Sequence, residues 1–179
     1  VPDQIARLYG PQSSDETSLE SSNTPVMTSE DFARHIPPEA KRVKTLGGLS
    51  LAHFGAAGGN KEMLDYLRGI GVNFEETTER GTKAFVFGCD RDDTNALDWF
   101  AEKFPGVDFV NHQNERGWTA LMYAVGDGRL KAVEWLLGKG ADVNKADREG
   151  ATALHVASNQ LGRADAIPLL LRREIGREH

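Results

Sequence analysis

A chain of 179 residues in which 39% are hydrophobic can bury the core of one ordinary domain. Its formal charge of -6 argues against a general nucleic-acid binder, which needs a basic face to neutralise phosphate. The lone Cys89 excludes an intramolecular disulfide and no apolar run reaches membrane-spanning length, so the expected setting is a reducing intracellular compartment, cytoplasmic, without membrane insertion.

The chain starts at Val1 rather than methionine, which leaves room for a segment upstream. Residues 1–27 read as a flexible, acidic, serine-rich leader. Within it VPDQIARLYG sets Ile5, Leu8 and Tyr9 at helical spacing, either as a short docking peptide able to fold back into the domain's own groove or as a frayed terminus. From residue 11 to residue 31 there are six serines, three threonines and five acids but no lysine or arginine. So little apolar surface does not offset the entropy of ordering.

Residues 28–46 read as an N-terminal helical cap. Thr28 caps TSEDFARHI, Met27 and Phe32 have the spacing of a hydrophobic staple, and the helix must stop before Pro37 and Pro38. A second short helix is expected in PEAKRVK, its basic residues near the C-terminal end where the helix dipole favours them.

From residue 47 the chain resembles itself. Gly48, Gly81, Gly117 and Gly150 head similar segments at spacings of 33, 36 and 33 residues, giving units 48–80, 81–116, 117–149 and 150–176 within a domain of residues 47–179. Two residues after each glycine stand Ser50, Lys83, Thr119 and Thr152, and the eighth position is always small: Gly55, Gly88, Ala124 and Ala157. A second apolar set follows at Leu64, Leu97, Val133 and Ile167, with Leu67, Phe100, Leu136 and Leu170 three further on. Each unit reads as two short helices. One such pair cannot bury its own apolar face, so a period of this length points to a stacked solenoid.

The segments GWTALMYA, GRLKAVEWLLGKGADVN and GATALHVA resemble the ankyrin repeat, in which G-x-T-P-L-H-x-A-A is followed by a helix ending in L-L and by G-A-D-V-N. The third unit matches closely, the first and fourth partly, and the second weakly. The resemblance implies an all-α ankyrin-repeat solenoid of helix-turn-helix units with projecting turns. It also implies a non-catalytic module or adaptor that binds another protein or peptide through its concave face and turn tips, without a cofactor.

The departures carry their own expectations. Three extra residues near Lys103–Gly106 suggest a second helix lengthened by a turn, with Phe104 extending the face of Phe100 before a bend at Pro105 and Gly106. Pro168 falls in the first turn of its helix if that helix starts near Asp165 or Ala166. No active site assembles: His53 and His155 sit at equivalent repeat positions and read as structural, and Cys89 takes the small inward position of an inert thiol. The glycine-rich GGLSLAHFGAAGGNKEM lacks the lysine-serine or lysine-threonine ending of a phosphate loop.

The resemblance places partner-binding positions at Glu79, Arg80, Thr82, Asp90 and Arg91 of the second unit and at Glu115, Arg116, Trp118, Tyr123 and Asp127 of the third. In the fourth they fall at Arg148, Glu149 and Asn159. Trp118 is either an exposed anchor beside Arg116 or a ring packed on the next turn. A groove so rich in Arg, Glu and Asp suits a polar or charged partner segment. Tyr66, Trp99, Trp135 and Leu169 form a same-position series, explained by stacking of repeats or by a partly exposed Trp99–Trp135 strip serving as a second interface. The alternative to an adaptor is a targeting or regulatory part of a larger enzyme, or a microbial effector, whose chemistry lies outside these residues.

Overall fold

A computed structural model describes residues 38–91, 93–159 and 164–175. The leader with its docking peptide (1–10), the Thr28 helix, Asp92, the stretch around Gly162 and the last four residues lie outside the described residues. Within them, PEAKR forms a short 3-10 helix, Pro38–Arg42, and the chain then runs on without helix to Ser50.

The rest of the described chain is four helix pairs. They are α1 (Leu51–Gly58) with α2 (Lys61–Gly69), α3 (Ala84–Phe87) with α4 (Asn95–Lys103), α5 (Ala120–Gly126) with α6 (Leu130–Gly138), and α7 (Ala153–Asn159) with α8 (Ile167–Ile175). Capping chemistry accounts for two of their starts. Thr119, in extended conformation, accepts the Met122 amide on its Oγ1 and opens a seven-residue α5. Lys83 offers no acceptor at the same position, and α3 runs for only four residues before Gly88. Asn60 Oδ1 caps α2 by accepting from Met63 N at 2.8 Å.

First helices pack on first helices, α1 on α3, α3 on α5 and α5 on α7, while α2 packs on α4 and α6 on α8. The core runs continuously between the two rows. Leu64, Leu97 and Val133 are fully buried, as are Leu67, Phe100, Leu136 and Leu170 to within a few percent. The unit with the weakest motif has the densest aromatic core. Phe74, Phe85, Trp99, Phe100, Phe104 and Phe109 meet ring to ring at centroid separations of 4.8–6.2 Å.

Two expectations change and one holds. First, α4 is no longer than α2 or α6, each having nine residues. The extra residues enter the loops on either side, because Phe104 leaves the helix at φ -131° to seat its ring in the aromatic core. Second, Trp99 is 1% exposed, so no Trp99–Trp135 strip faces solvent. Its Nε1 donates to Asp65 Oδ1 of the preceding pair at 2.8 Å, and Trp135 Nε1 repeats the bond to Asp98 Oδ1 at 2.7 Å. The third holds in substance: α8 begins at Ile167 after a 3-10 turn, Ala164–Ala166, so Pro168 is its second residue and falls in the first turn.

The projecting turns are tied to one another by main-chain bonds. Glu79 N donates to Gly47 O at 3.2 Å, Glu115 N to Arg80 O at 3.0 Å, and Arg148 N to Arg116 O at 3.0 Å. The approach leaves no room for a Cβ at the head of the first and third units. A Cβ on Gly48 (φ 78°) would lie 2.6 Å from Glu79 N, and one on Gly117 (φ 81°) 2.7 Å from Asp147 Cα. Gly150 (φ 83°) has no atom of the described residues within 4 Å of that position. Gly150→Ala therefore tests left-handed strain alone, which costs about 1–2 kcal/mol, whereas Gly117→Ala adds a backbone collision. Urea unfolding of the two variants should show Gly117→Ala as the more destabilised by at least about 1 kcal/mol.

Candidate functional site: the row of turn tips and the exposed face of the first helices

Each turn is built the same way, by a residue that the motif search passed over. Three positions before the head glycines stand Thr45, Thr78, Asn114 and Asp147, and each side-chain oxygen accepts the amide four residues on. The bonds are Leu49 N to Thr45 Oγ1 (3.2 Å), Thr82 N to Thr78 Oγ1 (3.2 Å), Trp118 N to Asn114 Oδ1 (3.0 Å) and Ala151 N to Asp147 Oδ1 (2.8 Å). The signal was present in the sequence as an oxygen-bearing side chain at a constant offset. Between that residue and the glycine, two residues form each tip.

The tips display Glu79 and Arg80, Glu115 and Arg116, and Arg148 and Glu149, all exposed. None of these six charges enters an ion pair within the described residues. Asp90, Arg91, Asp127 and Asn159 are exposed at the far ends of the first helices. Arg91 is engaged there, its Nε donating to Asp93 Oδ2 at 2.9 Å across a shallow cleft of about 360 Å³ lined by Gly58–Glu62, Arg91, Asp93 and Asn95.

Thr82, Trp118 and Tyr123 are less free. Thr82 is 6% exposed: its carbonyl meets His53 Nε2 at 3.3 Å and its hydroxyl accepts from Asn114 Nδ2 at 3.1 Å. It builds the floor beneath the turns and offers a partner almost no surface. Trp118 is half-buried. Its Nε1 donates to Asp147 Oδ2 of the next turn at 3.1 Å, and its ring meets Tyr123 at a centroid distance of 5.1 Å. Tyr123 in turn accepts on its hydroxyl from Asn114 Nδ2 at 2.9 Å. Trp118 thus leans on the next turn and keeps one part-exposed side.

The two histidines differ. His53, fully buried, accepts from Ser50 N on Nδ1 at 3.0 Å, so its Nε2–H donates to Thr82 O and joins the first pair to the second. His155 is exposed and, among the described residues, bonds within its own unit, to Thr152. Cys89 is buried, and burial pushes its thiol well up from the ordinary range, which makes it a poor nucleophile. Among the described residues no group of three or more His, Cys, Asp or Glu is placed to hold a metal.

Two groups set an acid response of opposite signs. Burial holds His53 below its ordinary value of 6.5, so stability is lost as the pH falls through 6.5 and the unfolded chain takes up the proton. Burial of its inner side and the charge of Asp127 push Asp90 up from 3.8 to about 6, so its ionised form costs stability above pH 6 and that cost fades as the pH falls towards 3.8. Asp90→Asn should raise the unfolding midpoint at pH 7.5 by a small margin, because the outer surface of the side chain is open to solvent. The margin should close near pH 4, and between pH 6.5 and 4 the variant should lose stability more steeply than the wild type, with the His53 loss no longer offset.

A family model described as "Ankyrin repeats (3 copies)" matches residues 52–147 and again 89–178. The chain is 35% identical over 77 residues to Notch-regulated ankyrin repeat-containing protein A of Danio rerio, covering 42% of this chain and 69% of that one. It is 48% identical over 61 residues to Inversin of Gallus gallus, and 44% identical over 48 residues to the NAD-capped RNA hydrolase NUDT12 of Homo sapiens. Those matches cover 34% and 27% of this chain but only 5% and 10% of the two relatives. The model match, the stacked helix pairs and the shared turn construction agree: the chain belongs to the ankyrin-repeat family.

Proposed function

We propose that this chain is a non-catalytic adaptor or scaffold that binds a polar or charged segment of another protein. Binding would use the turn tips and the first-helix face beside them. Ankyrin repeats are generally protein–protein interaction modules. The observation that carries the reading for this chain is the row of six exposed charges, unpaired among the described residues, on turns fixed by the inter-turn bonds. A rigid backbone removes much of the ordering cost of association, and charges with no internal partner remain available to select orientation and partner. Trp118 adds a part-exposed aromatic side at the centre of the row, flanked by Glu115 and Arg116. The setting proposed for this activity is a reducing intracellular compartment, in keeping with a single buried thiol. No described helix is long and apolar enough to cross a membrane.

A second reading, a targeting or regulatory part of a larger enzyme or a microbial effector, is supported by one observation. Two of the relatives, one named as a hydrolase, are matched over a tenth of their length or less.

The test of the adaptor reading is affinity capture from cell extract by the whole chain, compared with Glu115→Lys/Arg116→Glu, which alters tip charge without touching the core. The variant should lose its principal partner at least about tenfold while keeping the wild-type melting temperature. Unchanged recovery of every partner would remove the tips from the binding surface.

A further inference from the structure

The bonds that join one unit to the next stop at the two ends of the stack, and the ends carry opposite halves of them. At the front, Leu46 is the first residue of its tip, the position whose amide in every later unit donates to the tip before it, and its amide meets no acceptor among the described residues. At the back, Glu149 is the second residue of its tip, the position of the accepting carbonyls of Gly47, Arg80 and Arg116, and its own carbonyl receives no donor among the described residues. Leu46 is also 99% exposed. In the internal joints the matching side chains lie over the preceding head glycine, with Glu79 Cγ and Glu115 Cγ each 3.2 Å from the place a Cβ would take on Gly48 and Gly81. On Gly150 that place is open among the described residues.

A second match is specific to the first and fourth units, which alone have histidine at the sixth position, where the others have Val86 and Met122. The two rings are set alike. His155 Nδ1 accepts from Thr152 N at 3.2 Å, as His53 Nδ1 accepts from Ser50 N, so Nε2 carries the proton in both. His53 gives that proton to Thr82 O of the next unit, and its ring meets Phe87 edge-on at a centroid distance of 5.2 Å. His155 Nε2 has no acceptor among the described residues. The first unit holds what it lacks. Leu49 stands at the position of Thr82, its carbonyl accepting Thr45 N as Thr82 O accepts Thr78 N, and the half-buried Phe54 stands at the position of Phe87. Leu154 is part-exposed as well, where its counterparts Ala52, Phe85 and Leu121 are buried beneath a following unit.

We infer that the fourth unit stacks on the first unit of a second copy of this chain, head to tail. Leu46 N of one copy donates to Glu149 O of the other, His155 Nε2 donates to Leu49 O, and the His155 ring meets Phe54, which repeats the joint between the first and second units. A second copy is the occupant because its front brings the amide, the carbonyl and the ring together at the spacing that the internal joint already uses. The two faces differ, so the contact is heterologous and does not close at two copies. Assembly of this kind goes beyond the adaptor reading: it lengthens the row of tips without occupying it.

Sedimentation velocity of the whole chain over a concentration series tests the inference with one variant at each end. Leu46→Pro removes the front amide at the second position of a turn closed by Gly48 N on Thr45 O, a place that accepts proline. His155→Glu removes the ring and its donor, while a glutamate three residues after Thr152 still accepts the Thr152 amide. The wild type should pass beyond dimers as concentration rises, and each variant alone should stay monomeric. An equimolar mixture of the two should form a one-to-one dimer and nothing larger, because each supplies the end that the other has lost. A wild type still monomeric at about 1 mM, a mixture no more associated than its components, or a dimer abolished by one variant and untouched by the other would each overturn the inference. Independently of the variants, amide NMR shifts of the wild type on dilution should change at both Leu46–Leu49 and Glu149–His155. Changes at one end alone, or at neither, would overturn it as well.

Discussion

One main-chain hydrogen bond, made three times, governs the rest of the molecule. The second residue of each tip, or Gly47 in the first, gives its carbonyl to an amide in the following tip. Only a glycine at the head of the unit lets the two backbones come that close. Sheet-like pairing of this kind fixes the interval between tips independently of their side chains. That is why the tip residues can differ freely in charge while the turn itself stays the same. The proposed binding role therefore falls on positions that the fold leaves unconstrained.

The helices answer to a different constraint. No pair here buries its own apolar face, so each depends on its neighbours, and the stack is held by whichever residues fill the shared space. The second pair shows how much latitude this allows. It lacks a capping oxygen at Lys83 and has a first helix of four residues, yet five of its aromatic rings, with Phe74 of the preceding unit, form the most interlocked part of the core. The indole bonds to Asp65 and Asp98 then tie second helices of successive pairs in a direction that apolar packing does not specify.

The period, the four helix pairs and the buried apolar columns were legible in the sequence because they follow from spacing and from the small residues that close packing demands. So was the structural role of His53. The insertion in the second unit was not: its length could be counted, but whether it lengthened a helix or a loop was decided by the pull of the aromatic core on Phe104. The indole series misled for a similar reason. Equivalent positions are visible in a sequence, whereas the depth at which Trp99 lies depends on Asp65 from the preceding unit. Among the surface positions, exposure of Glu79, Arg80, Glu115, Arg116, Arg148 and Glu149 follows from turn chemistry. The inward turn of Thr82 and the leaning of Trp118 on Asp147 are tertiary facts that no local pattern carries.

Native-state hydrogen exchange at the tips addresses the rigidity on which the whole account rests. The amides of Glu79, Glu115 and Arg148 belong to exposed residues, and if the inter-turn bonds hold they should exchange only with the opening of whole repeats, at protection close to that of the helix amides of Tyr123 and Val133. Exchange of those three amides at the rate of free surface amides, with the helices still protected, would contradict the account. The tips would then be independent loops and not a preformed row.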